Sequence, residues 1–150
     1  MRTAIRYELD SIQFGEPDEP LFADELLFYG AGDCEDRTIL FTILIKEILN
    51  LDVIMLHYTS SVTGHVSTAV CFSEKIEGDW LLAGKWGETE EKKKYYICDP
   101  TLMDGKLGVE PIQLHEEELP WVYEITPNGF ELLWNSFNEN RRSKLPFYKK

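Results

Sequence analysis

The sequence predicts an α+β fold, with a central helix in the N-terminal part of the chain packed on an antiparallel β-sheet. Three observations lead there. A helix is strongly signalled from Asp33, the hydrophobic period turns from helical to strand-like after residue 51, and the strand-like runs follow one another without intervening helices. No Gly-rich phosphate loop joins a strand to a helix, which argues against a βαβ nucleotide-binding fold.

Taken in order, residues 9–20 (LDSIQFGEPDEP) read as loop, punctuated by Gly15, Pro17 and Pro20. Asp33 is the expected N-cap of the central helix, with Cys34 at N1 and Asp36 at N3, a D-x-x-D variant of the capping box. Ile39, Leu40, Ile43, Leu44 and Ile48 recur at helical spacing, while Phe41, Ile45 and Leu49 fill another side. A helix apolar nearly all round is expected in the centre of a fold. Asn50 can close it in the left-handed conformation. Residues 52–60 (DVIMLHYTS) and 65–73 (HVSTAVCFS) are rich in β-formers and read as strands buried on both faces. Residues 75–93 are polar and contain Gly, an irregular excursion or a wide hairpin. Residues 94–99 give a third strand, ended by Pro100, and residues 121–125 (WVYEI) a fourth. The stretch GFELLWNSF, residues 129–137, reads as a closing helix with Phe130, Leu133, Trp134 and Phe137 on one side.

The length of 150 residues suits one domain with a real core, and 43% hydrophobic with 13% aromatic residues is globular rather than disordered composition. Residues 1–140 are expected to be that domain, cut from a longer protein, with 141–150 a basic linker or tail. A net charge of −12 argues against nucleic acid as a partner, because phosphate backbones need clustered Lys and Arg. The acidity concentrates in residues 1–36, where ten acids stand against Arg2 and Arg6; this is a solvated acidic face or a preference for cationic substrates. No apolar run reaches transmembrane length and the N-terminus lacks a signal-peptide core, so membrane insertion by this domain is not expected. Three cysteines without a CxxC argue against a disulfide framework or a zinc ribbon.

Three ionisable residues sit at element ends. Cys34 lies in the first turn of the central helix, His65 opens the second strand, and Asp99 closes the third. A nucleophilic cysteine must ionise, which a helix N-terminus and a nearby imidazolium favour. A histidine base needs an acceptor for its second nitrogen. Each residue also has a plainer role: a buried Cys as a small core hydrophobe, a His at a strand start as a hydrogen-bonded surface group, Asp-Pro as a turn starter. Asp33, Glu35 and Asp36 flank Cys34, and negative neighbours disfavour a thiolate unless they point away from the sulfur. A metal site on Cys34, His65 and Asp99 would be unusual for zinc, which favours locally paired ligands.

The runs GDCEDRTILF, GHVSTAV and YYICDPT, in this order, resemble the transglutaminase-like superfamily, in particular its bacterial transglutaminase-like cysteine proteinase branch. The match spans residues 10–101 and implies a papain/transglutaminase-like core. By motif, Cys34 would be the nucleophile, His65 the general base and Asp99 the residue orienting His65. The resemblance implies acyl transfer through a Cys34 thioester on a peptide or protein substrate: a cysteine peptidase or amidase, or a cross-linking transferase. No cofactor is implied, and no recognisable loop suggests calcium. Relatives carry a Phe-Val-Gln stretch just before the segment matching residues 3–7, and its glutamine is a natural oxyanion donor; here Arg2 stands about where it would be. The Cys34 backbone N–H and the Tyr29 phenol are then the remaining donor candidates, with Asp33 and Trp86 as candidates on the substrate side. The alternative is a catalytically impaired domain that binds partners within a larger, envelope-associated protein.

The other candidates have plainer expectations. His57 alternates with apolar residues and reads as a core or sheet-surface histidine, and His115 beside Glu116–Glu118 as a solvated one. Cys71 and Cys98 read as core residues, and Trp80 as hairpin packing or the wall of a substrate groove.

Overall fold

The structure, a computed structural model, describes residues 4–15, 17, 20–59, 64–85, 92–101, 107–108 and 120–137. In chain order these form β1 (Arg6–Tyr7), α1 (Asp10–Gln13), α2 (Ala23–Tyr29), β2 (Ala31–Gly32) and α3 (Cys34–Leu49). Then follow β3 (Val53–Tyr58), β4 (His65–Val70), β5 (Trp80–Gly84), β6 (Lys93–Ile97), β7 (Trp121–Thr126) and β8 (Gly129–Phe137). Strands β3 to β8 close into an antiparallel barrel in the order β3-β4-β6-β5-β8-β7, while β1 and β2 form a separate parallel ladder. The chain is therefore α+β. No helix among the described residues is long and apolar enough to cross a membrane.

Period-two alternation builds the barrel core. Ile54, Leu56 and Tyr58 of β3 point inward against Ala69 of β4, Leu81 of β5 and Val122 of β7, all nearly without solvent contact. The register places Tyr58 opposite His65 and Leu56 opposite Ser67, so His65 opens β4 at the rim of this core. Within the stretch expected as an excursion or wide hairpin, β5 pairs with β6 from Trp80–Tyr96 to Ala83–Lys93, while residues 86–91 lie outside the described residues.

The closing helix expected at Gly129–Phe137 is instead β8, which pairs with both β7 and β5 and completes the barrel. The deciding feature precedes it. Pro127 and Asn128 make a tight turn in which Asn128 N–H donates to Thr126 Oγ1, that hydroxyl donates to Gly129 O, and Gly129 takes φ 119°. Hairpin closure outweighs the helical spacing of the apolar residues, since spacing alone does not separate short helices from strands. The loop expected over residues 9–20 contains a helical turn, α1, with Asp10 buried.

Helix α3 begins at Asp33 and ends at Asn50, which takes the left-handed conformation at φ 52°, ψ 39°. Asp36 Oδ2 accepts from Asp33 N–H at 3.3 Å, as the capping expectation requires, and Oδ1 accepts from Leu21 N–H at 2.8 Å. Burial all round holds for the first half alone. Cys34, Asp36, Arg37, Thr38, Leu40 and Thr42 are buried, whereas Ile48 is 71% and Leu49 57% exposed. The first half lies against β4 and the small core of Ile5, Leu21, Leu26 and Leu40; the second half runs out past β7, where Lys46 Nζ donates to Ile125 O.

Gly32 locks the approach of α2 to α3. A Cβ there would meet Leu26 Cδ1 at 2.5 Å and Asp36 Oδ2 at 2.6 Å. We expect Gly32→Ala to cost about 1–3 kcal/mol, the usual range for overpacking a tight core. Chemical denaturation measures it, and a wild-type midpoint would contradict this packing.

Candidate active site

The site forms where β6 stops pairing with β4. The two strands are matched at Ala69–Ile97 and Val70–Tyr96, and Cys98 N–H donates to Thr68 O at 2.9 Å just beyond. Further along, helix α3 takes over the edge. Val66 O accepts from Thr38 Oγ1 at 3.1 Å, and Val66 N–H donates to the Cys34 sulfur. Buried backbone groups must be paired, so the helix start is held against the residue that follows His65.

The same strand order brings Asp99 to His65. Nε2 of His65 lies 2.7 Å from Oδ2 of Asp99, with the two side chains 16% and 0% exposed. The other carboxylate oxygen, Oδ1, accepts from Thr101 N–H at 2.8 Å and from Thr101 Oγ1 at 2.6 Å. Burial pushes the Asp99 carboxyl up, but the hydrogen bond and charge of His65 together with the two Thr101 donors outweigh it and hold the group below the ordinary carboxylate value. An ionised carboxylate only accepts, so Nε2 carries the ring proton and Nδ1 of a neutral His65 is the basic nitrogen. The ring leans on Tyr58, with centroids 6.3 Å apart and planes tilted by 35°.

Cys34 rests as a thiol. Its Sγ donates to Glu35 Oε2 at 3.0 Å, and among the described residues no hydrogen bond joins it to His65. Burial raises the thiol pKa most, the Glu35 bond and charge and then Asp33 raise it further, and the Val66 N–H pulls the other way. The three flanking acids thus divide their work. Asp36 points to backbone N–H groups, whereas Glu35 turns onto the sulfur. Asp33 is buried at the helix start; burial, then its bond to Glu35 and the charges of Glu35, Asp10 and Asp36, hold it well above the ordinary carboxylate value.

Among the described residues, the donor atoms of Asp33, Cys34 and Glu35 lie within 4.8 Å of one another, as do those of Asp10, Asp33 and Asp36. Carboxylate clusters of this kind occur without a metal, and no metal role is assigned to them.

Other expected residues fall elsewhere. Tyr29 is half exposed and packs edge-on against Phe14 and Phe28 at 5.4 and 5.3 Å. Trp86, His115 and Arg2 lie outside the described residues. Trp80 is half-buried beneath Lys94 Nζ, 4.2 Å above its ring, which is hairpin packing. His57 is a sheet-surface histidine lining a cavity of about 230 Å³ with Met55, Val66, Tyr123 and Phe130. Cys71 and Cys98 are half-buried rather than core; Cys71 packs against the barrel interior from its margin.

Sequence reasoning missed three contributors. Thr101 had a signal, its place two residues after Asp99, where a hydroxyl and an N–H can both reach the carboxylate. The Val66 N–H had none, because strand position says nothing about which edge is open. Tyr7 comes to the sulfur through the β1–β2 ladder, which places it opposite Gly32, and its phenol shares a hydrogen bond with Cys34. No family model, curated protein or solved structure matches this chain.

The lowered Asp99 value sets a sign. A depressed folded-state pKa stabilises above the unfolded value, near 3.9, and that stabilisation is lost as pH falls through the folded value. Asp99→Asn should destabilise at pH 6–7 by about 1–3 kcal/mol, and the gap to wild type should close below about pH 4. Denaturation curves across pH 3–7 check this; a gap independent of pH would contradict it. For the thiol, removing the Glu35 charge lowers the pKa. Iodoacetamide alkylation of Cys34 in Glu35→Gln should therefore reach its plateau at lower pH than in wild type, and a profile that stays put or moves up contradicts the Glu35 contact.

Proposed function

We propose that this chain is a thiol acyl-transfer enzyme of the transglutaminase-like, papain-like kind, acting as a cysteine peptidase or amidase on a peptide or protein substrate. The observation that carries the reading is the His65–Asp99 pair at 2.7 Å, set beside a buried cysteine whose sulfur receives the N–H of the residue after His65. The chain order of GDCEDRT, GHV and DPT supports it. Cys34 first releases its Glu35 bond and passes its proton to Nδ1 of His65. The sulfur then attacks the substrate carbonyl carbon, forming a C–S bond while the carbonyl pair moves onto oxygen. Collapse breaks the C–N bond, and His65 returns the proton to the leaving amine. Water, deprotonated by the same nitrogen, hydrolyses the thioester; an amine in its place would make the step a transfer. Asp99 keeps the ring oriented and offsets the imidazolium charge.

A second reading draws on the Glu35 contact. A thiol held by a carboxylate, with its pKa raised, fits a domain of the same fold that binds partners without turnover.

Acylation separates the two. With p-nitrophenyl acetate, followed by peptide mass mapping, Cys34 should acetylate faster than the other two cysteines, Cys71 and Cys98, in the same sample. His65→Ala should slow Cys34 acetylation by about 10²–10⁴-fold, the usual range for a lost general base. A Cys34 no faster than the other two, or insensitive to His65, sinks the enzymatic reading in favour of the binding module.

A further inference from the structure

Acyl transfer through Cys34 puts a negative oxygen two bonds from the sulfur, at a site already crowded by Asp33 and Glu35. A carboxylate there opposes the developing charge, so a neutral hydrogen-bond donor beside the sulfur is what the chemistry needs. Tyr7 meets that requirement by geometry. Arg6 N–H donates to Gly30 O at 3.0 Å and Glu8 N–H to Gly32 O at 3.2 Å, clamping Tyr7 between them alongside the segment that leads into Cys34. The buried Arg37 guanidinium sits 5.8 Å from the Tyr7 ring centroid and walls one side of the ring. Tyr7 is half exposed.

We propose that Tyr7, held by the β1–β2 ladder beside the start of α3, is the oxyanion-stabilising donor of the Cys34 site: its hydroxyl donates to the carbonyl oxygen once the carbonyl carbon has bonded to Cys34. The proposal rests on the acyl-transfer reading and deepens it. The direction of the phenol's bond to the Cys34 sulfur is set by the partners. The thiol proton goes to Glu35, so the phenol is the donor to the sulfur's lone pair. Burial first, and then the negative charge that Cys34, Asp33 and Glu35 carry when ionised, hold the phenol's pKa above its usual value, which keeps the proton on Tyr7. Tyr7 therefore donates without transferring, as an oxyanion donor must.

Two reactions of the same thiol separate this role from a general effect on the sulfur. Acetylation by p-nitrophenyl acetate passes through an oxyanion: the C–S bond forms, p-nitrophenoxide leaves with its electron pair, and the thiol proton goes to His65. Alkylation by iodoacetamide displaces iodide directly and forms no oxyanion. In Tyr7→Phe, Cys34 acetylation should fall about 10²–10³-fold, the usual cost of one oxyanion donor. Alkylation should change at least tenfold less. The ratio of the two is read within one sample, so a reduced folded fraction cancels. Acetylation and alkylation falling in step, or acetylation within twofold of wild type, overturns the role of Tyr7 alone. A wild-type Cys34 that alkylates but does not acetylate overturns the acyl-transfer reading and the Tyr7 role together.

Discussion

The edge of β4 that faces away from β3 is the constraint on which the site depends. A buried strand edge cannot be left unpaired, and here three different partners share it. Strand β6 takes the far end, Cys98 N–H takes Thr68 O, and the start of α3 takes both backbone groups of Val66. Because β6 ends where α3 begins, the residue just past β6 and the first residue of α3 come to the same stretch of β4. That stretch opens with His65. The His65–Asp99 pair, and the placing of the start of α3 against the residue after His65, are thus consequences of sheet completion, and the barrel closure through β5, β7 and β8 holds β4 and β6 in place.

The acids around Cys34 show how one short motif serves structure and chemistry together. Asp36 accepts two backbone N–H groups, from Leu21 and Asp33, and so ties the approach to α2 onto the start of α3. Asp33, buried with its pKa raised, bonds to Glu35, which in turn accepts a hydrogen bond from the Cys34 thiol. The resting sulfur is therefore quenched by its own neighbour. In the proposed acyl transfer Glu35 must release the thiol before His65 can take its proton, whereas the His65–Asp99 pair is already assembled. Tyr7 enters from a separate ladder, which lets its phenol approach the sulfur independently of the barrel.

Much of this was legible in the residues themselves. The Asp33 and Asp36 capping arrangement, the left-handed Asn50, the strands at β3, β4, β6 and β7, and the placement of Cys34, His65 and Asp99 at element ends all follow from local rules. Capping, β-propensity and turn chemistry act within a few residues. The helix expected at Gly129–Phe137 failed for the converse reason. Its apolar spacing was compatible with either state, and pairing with β5, distant in sequence, decided for a strand. The exposed second half of α3 failed likewise, because apolar periodicity does not say how far a helix reaches beyond its partner.

The sequence by itself determined which residues could do chemistry and roughly where each element starts, since those properties belong to short stretches of chain. Only the tertiary structure decided which groups meet. The 2.7 Å His65–Asp99 pair, the turn of Glu35 onto the sulfur, the Thr101 donors that hold Asp99, and the arrival of Tyr7 beside Cys34 depend on burial and on contacts between segments far apart in the chain. Buried polar groups take whichever partner the fold leaves within reach, and local sequence does not encode that choice.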